Sequence, residues 1–153
     1  KLVDAYSNHD TQRANAYANE LAEIRKMANF MMSAKLALER VVLRLSTVTQ
    51  LGNAAVALAP AVKVLQSVRS GIAGILPNAG QELGEIATLL DEIMIETGQT
   101  TGAGFGFEAA SEDAQKILNE AAVVAEQRMK EKFPELPTLK AGEHIEESQY
   151  GNP

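Results

Sequence analysis

The chain has 153 residues and a net charge of −6, with 5% aromatic residues and neither tryptophan nor cysteine. A chain without cysteine has no disulfide and no thiolate metal site, and it is compatible with a reducing cytoplasm. Lys, Arg or Gln interrupts every apolar run well before the ~20 residues that a bilayer-spanning helix needs, so the sequence predicts no such helix.

Charge divides the chain into two halves. Residues 1–76 carry nine basic and five acidic side chains, a net charge of +4, whereas residues 77–153 carry five basic and fifteen acidic ones, a net charge of −10. A basic half can meet an anionic surface, another subunit or the acidic half of its own chain. The dominance of Ala, Leu, Val, Ile, Glu and Gln favours helices that pack through narrow apolar stripes. Composition therefore predicts an elongated all-α protein whose function is to bind other surfaces or subunits.

A long helical stripe begins near the N-terminus. An apolar or small residue returns every three or four positions from Thr11 to Ile75, which is the period of one helix face. A straight helix over residues 11–58 would extend about 70 Å at ~1.5 Å per residue. Pro60 lacks a backbone donor, and because the stripe continues in phase beyond it, we expect a bend of the rod at residues 56–60 rather than a stop.

The start of this helix carries a capping signal. Asp10 stands just before the stripe and can accept a hydrogen bond from the backbone N–H of Gln12 or Arg13. Ser7 and Asn8 are alternative caps one turn earlier. The sequence thus predicts a helix that begins at about residue 11.

A hinge and a third helix follow the rod. Glycine and proline residues cluster within ten positions and predict a hinge, and a helix is expected over residues 79–97 with its apolar face on one side and acids on the other. The hinge residues are Gly71, Gly74, Pro77 and Gly80, and the acids of the third helix include Glu82, Glu85, Asp91 and Glu92. We assign residues 1–97 to one helical core.

The C-terminal part divides into a linker, a helix and a tail. Residues 98–110 are rich in glycine and small polar residues, which predicts a flexible linker, and Ser111 can cap a last helix over residues 111–133. Within the linker, GAGFG is similar to a fragment of a phosphate-binding loop, but no strand precedes it and no Lys-Ser/Thr follows. Residues 134–153 combine proline, glycine and acid, and we expect them to be extended or disordered.

Catalytic and metal chemistry find little support in the sequence. His9 and His144 lie in predicted loops, and no His-x-x-x-His or His-Glu-x-x-His spacing places two ligands on one helix face. A ferritin-like enzyme would need inward Glu-x-x-His pairs, and none exist. We therefore predict that the protein is not an enzyme and takes no cofactor.

Two candidate interaction sites stand out. The first is a set of cations on the long helix, which could bind phosphate headgroups or an acidic neighbour, or could form an ordinary solvated face. Nucleic acid is a weaker candidate for their partner, because the net charge of the chain is negative and aromatic residues do not interleave with the cations. The second is a segment of alternating apolar residues and prolines that would enter a groove as an extended peptide, or merely end the helix. The cations are Arg25, Lys26, Lys35, Arg40 and Arg44, and the segment contains Phe133, Pro134, Leu136, Pro137 and Leu139.

Two stretches carry a resemblance to a known family. The segment SNHDTQRANAYANELAEIRKM resembles the turn between helices 1 and 2 of ESCRT-III proteins, and LSTVTQLGNAAVALAPAVKVLQSVRSGIAGILPNAGQELGEIATLLDEI continues that resemblance through the long second helix into the third. Within the superfamily the chain looks most like the archaeal CdvB-type proteins. The resemblance covers about residues 1–133 and depends on the ordered pattern, with helix 1 of the family largely missing and Pro60 interrupting the rod.

The resemblance implies a role in cell division and vesicle budding. It implies a filament of this subunit and its paralogues that remodels and constricts the membrane from the cytoplasmic side, as a peripheral protein on the inner face of the cell membrane at the division site. The cations of the second helix would contact other subunits or, together with helix 1, an anionic membrane, and the acids of the third helix would form an acidic contact face. The segment that begins at Phe133 is similar to a proline-containing motif that binds the MIT domain of a disassembling AAA ATPase.

Two conformations follow from this interpretation. In a closed form the acidic helices fold on the basic hairpin, and in an open form side-by-side helices build the polymer. A static coiled-coil scaffold or signalling adaptor is the alternative, since it needs the same stripe but neither hinge nor ATPase-binding tail.

Overall fold

The computed structural model describes residues 1–48, 54–96 and 104–133, and these residues form five α-helices without a strand. The prediction of an all-α fold is thereby confirmed. The helices are α1 (Leu2–Ser7), α2 (Thr11–Ser46), α3 (Ala54–Ile72), α4 (Pro77–Glu96) and α5 (Gly104–Lys132).

The turn between α1 and α2 is built as the sequence predicts. The Asp10 side chain accepts a hydrogen bond from the backbone N–H of Arg13 at 3.0 Å and caps α2. His9 has a φ of 56°, a left-handed conformation that is uncommon for a residue with a side chain. The chain reverses through this residue, and α1 packs against the start of α2 with Ala5 and Ala14 buried.

The expectation of one helix over residues 11–58 with a bend at Pro60 is wrong. Helix α2 ends at Ser46, where the Ser46 and Thr47 hydroxyls donate to the carbonyls of Leu43 and Arg44 at 2.7 and 2.8 Å. Such local side-chain bonds satisfy carbonyls that continuing helix turns would otherwise use. Pro60 lies buried inside a separate helix, α3.

Helices α2 and α3 run antiparallel, which lets the apolar stripe bury itself. Phe30, in the middle of α2, packs on Gly71, near the end of α3, and a Cβ at position 71 would overlap the phenyl ring. Leu45, near the end of α2, packs against the buried cluster that contains Leu58, near the start of α3. Folding back removes from water an apolar face that a straight rod would leave exposed.

Helix α4 turns back along α3. Residues 73–76 form the turn, and the backbone N–H groups of Ile75 and Leu76 donate to the Ile72 carbonyl at 2.9 and 2.8 Å. Gly80 comes so close to this turn that a Cβ there would lie 3.0 Å from the Cα of Ala73. Met94, at the far end of α4, joins the cluster around Leu58.

Helix α5 covers both α2 and α3. It contacts these two helices and completes the main core, in which Val64 of α3 is fully buried. It begins at Gly104, so the predicted linker boundary at residue 110 and the predicted cap at Ser111 are wrong. Ala110 is already buried, and packing of this face extends the helix beyond the local capping signal.

Candidate functional site: an acidic helix on the basic face of α2

Two of the predicted cations meet α5. The guanidinium of Arg44 donates to the Asp113 carboxylate, with 2.7 Å between Nη2 and Oδ2, and Arg40 forms an ion pair with Glu120. Since the higher-numbered partner on α5 pairs with the lower-numbered one on α2, the two helices are antiparallel. We call these two ion pairs the clasp.

The other predicted cations of α2 lie outside the clasp. Lys35 pairs with Glu39 one turn along the same helix, with 3.7 Å between Nζ and Oε1. Lys26 is exposed and Arg25 is half-buried, and both belong to the first half of α2. The structure therefore separates the five cations into two that bind α5 and three that do not take part in the clasp.

The clasp orients α5 more than it stabilises its position. The four side chains of the clasp are 37–43% exposed, and ion pairs in such surroundings contribute about 0–1 kcal/mol each. Their Coulomb attraction is also weakened by salt, because the Debye length falls to about 8 Å at physiological ionic strength. The larger contribution to the free energy that holds α5 on α2 must come from apolar contact.

A seam of small side chains provides that contact. Ala121 and Ala125 of α5 are 1% and 0% exposed and lie in one cluster with Ala37 of α2, which is 0% exposed. Alanine lets helix backbones approach closely, so the seam leaves no room for larger or charged side chains. The α5 residues of this seam are Ala114, Ile117, Ala121 and Ala125.

The acids predicted to form a contact face lie elsewhere. They belong to α4, which packs along α3, and the clasp instead uses Asp113 and Glu120, which the sequence interpretation did not single out. The sequence could have indicated Asp113 and Glu120, because both flank the apolar positions of α5 that face the core. Glu82, Glu85 and Glu92 are exposed and Asp91 is half-buried.

The predicted hinge residues surround the turn between α3 and α4. Gly71 lies in the last turn of α3, Gly74 in the connection, Pro77 at the first position of α4 and Gly80 in its first turn. The structure thus places all four at one reversal of the chain. Their role as a hinge stays a prediction.

The predicted ATPase-binding segment begins where α5 ends. Phe133 follows the helix and is 48% exposed. Pro134, Leu136, Pro137 and Leu139 lie outside the described residues, and the MIT-binding role of the segment stays a prediction.

The described residues contain neither a membrane-spanning helix nor a metal-binding cluster. No helix in these ranges is both long and apolar enough to cross a bilayer. No group of three or more His, Asp or Glu side chains there is arranged to hold a metal ion.

The all-α fold, with a basic helix covered by an acidic one, is consistent with an ESCRT-III-like protein. The chain is 45% identical over 137 residues to cell division protein B1 of Sulfolobus acidocaldarius, and 35% identical over 137 residues to cell division protein B of the same organism. These alignments cover 90% of the chain and 64% and 52% of the two relatives, so the chain spans about half to two thirds of their lengths. The chain belongs to the CdvB-type group of the ESCRT-III superfamily. No family model and no solved structure matches it.

Proposed function

We propose that this chain is a filament-forming subunit that remodels and constricts membrane during cell division. The similarity to two cell division proteins over nine tenths of the chain supports the cellular role. The docking of α5 on α2 and α3 is the single observation that supports a regulated subunit, because it gives the chain a helix that can be released.

The structure corresponds to the closed form in this proposal. Release of α5 would expose Arg40 and Arg44 together with the alanine seam, and these groups would then be available to other subunits or to an anionic membrane. The apolar period that runs through Leu45, Val48, Leu51 and Leu58 favours an open form in which α2 and α3 join into one rod. Polymer contacts stabilise that form only if their free energy exceeds that of the packing they replace.

The turn around Gly74 supplies a second movable joint in the proposed opening. A short connection between two helices can absorb the backbone changes that swing one helix away from the other. In the closed form α4 stays along α3, and opening at this turn would present its acids to a neighbouring subunit. The paralogues of this protein are the natural co-polymer partners.

We further propose that the segment from Phe133 to Leu139 recruits a disassembling AAA ATPase through its MIT domain. Its exposed first residue and its prolines support binding as a preformed extended peptide, which loses little entropy in a groove. A peptide of residues 130–142 should bind a purified MIT domain at micromolar concentration. Replacing Leu136 and Leu139 by serine should abolish that binding, and a peptide without affinity at high micromolar concentration would remove the assignment.

Electron microscopy tests the proposed function. With anionic liposomes, negative staining should show filaments that deform the vesicles, and neutral liposomes should give fewer because the cations of α2 then lack a partner. Dimers of fixed size, unaffected by lipid, would identify a static coiled-coil scaffold instead. A protein that stays monomeric under all these conditions would contradict the proposal.

A further inference from the structure

The phenyl ring of Phe30 lies where a side chain at position 71 would otherwise stand. Phe30 is half-buried in the middle of α2, and Gly71 is the penultimate residue of α3. Three ring atoms of Phe30, namely Cζ, Cε1 and Cε2, would lie within 3.2 Å of a Cβ at position 71. Carbon atoms in van der Waals contact stay about 3.5–4.0 Å apart, so any other residue at this position must displace the ring. We call this pair the ring–glycine contact.

The ring–glycine contact lies at the end of α3 that is farther from the connection to α2. Helix α2 ends at Ser46 and α3 begins at Ala54, so the chain joins the two helices at the opposite end of α3. The 19 residues of α3 extend over roughly 28 Å at ~1.5 Å per residue. A helix that swings about its connection moves most at its far end, so this contact must break when α3 leaves α2.

Two other glycines of α3 and α4 do not make a comparable contact. A Cβ at Gly84 would meet the guanidinium of Arg69, but that group ends a long, exposed side chain and can move aside. A Cβ at Gly74 would have no such neighbour within 4 Å. Gly71 differs from both, because the atoms that lie against it belong to a stiff aromatic ring of another helix.

We propose that Gly71 holds the closed form by admitting the Phe30 ring, so that one added methyl group at position 71 shifts the chain toward the open form. This inference rests on the proposed function, because it names a contact that the separation of α2 and α3 must break. Alanine forms helices better than glycine in both forms, whereas the overlap with the ring exists only in the closed form. A change that penalises one of two states shifts the population to the other.

Phe30→Leu and Gly71→Ala form a size-exchange pair. Leucine lacks atoms equivalent to Cζ, Cε1 and Cε2 of the ring, so it leaves room for the alanine Cβ. Each single variant should weaken the contact, through a gap or through an overlap, and the double variant should restore much of it. Residues in direct contact show this non-additivity, whereas two independent defects would add. Gly74→Ala adds the same methyl group where it overlaps nothing and is the matched control.

Spin labels on introduced cysteines measure the separation of α2 and α3. The chain has no cysteine of its own, and Glu23 and Ser67 are exposed sites on the two helices. The antiparallel closed form keeps these sites at one end of the helix pair, whereas roughly 65 Å would separate them in a continuous rod at ~1.5 Å per residue. Double electron–electron resonance gives the fraction of each population. Circular dichroism melts establish that every variant is folded.

The long-distance population should grow at least about fivefold in Gly71→Ala, stay unchanged in Gly74→Ala and fall again in the double variant. On anionic liposomes, Gly71→Ala should also form filaments at a lower protein concentration than the double variant. Equal distance distributions for Gly71→Ala and Gly74→Ala, or a double variant at least as open as Gly71→Ala, would overturn this inference. Absence of filaments from the unmodified protein would overturn the proposed function alone, because the label distances are measured without assembly.

Discussion

Replacement of Ala121 by glutamate should detach α5 from α2 and α3. Ala121 is 1% exposed within the alanine seam, so a glutamate there would bury a charge without a partner. Such burial costs about 3 kcal/mol or more, and the chain can avoid the cost by releasing α5. Since 1.4 kcal/mol corresponds to a factor of ten, amide hydrogen exchange in α5 should accelerate by about 100-fold. Helices α3 and α4 should keep most of their protection, because they pack on each other.

A matched control lies two residues away on the same helix. Val123→Glu introduces the same charge at a position that is 66% exposed, and exchange in α5 should then change little. If the proposed function holds, Ala121→Glu should also assemble on anionic liposomes at lower protein concentration than the control. Equal exchange rates in the two variants would show that the seam does not hold α5 in place.

The sequence predicted the local elements of the fold better than their arrangement. Asp10 is a local signal, and its hydrogen bond to Arg13 formed as expected. The break after Ser46 was missed because the apolar period continues in phase on both sides of it, and a period cannot distinguish one long helix from two helices that pack face to face. The start of α5 was missed because burial of Ala110 outweighs the glycines before it.

Only part of the clasp could be predicted, because a sequence pattern does not show which helix faces meet. The basic residues of α2 were predicted to form an interaction surface, and two of them, Arg40 and Arg44, pair with acids of α5 in the clasp. Contact of these residues with other subunits or with a membrane stays a prediction. Which helix covers α2 is decided by the faces that meet after the chain has folded back twice. Both α4 and α5 are amphipathic and carry acids, so composition favoured the more acidic α4, whereas packing of the small side chains places α5 on α2.

In the proposed function, α5 must leave α2 before filaments form. The chain has no cysteine, so cysteines introduced at Arg44 and Asp113, whose side chains meet in the clasp, can be joined specifically by a short bis-methanethiosulfonate linker. A covalent link between α2 and α5 keeps the two helices together regardless of salt, lipid or protein concentration. Reducing agent removes the linker and restores the free chain, and each single-cysteine variant controls for loss of the ion pair.

Light scattering of the linked protein with anionic liposomes, before and after reduction, is the most direct measurement. We predict that the linked protein gives no filament signal and that reduction restores the signal of the single-cysteine variants. Assembly of the linked protein at the rate and to the extent seen after reduction would contradict the account, because filaments would then form with α5 still held against α2.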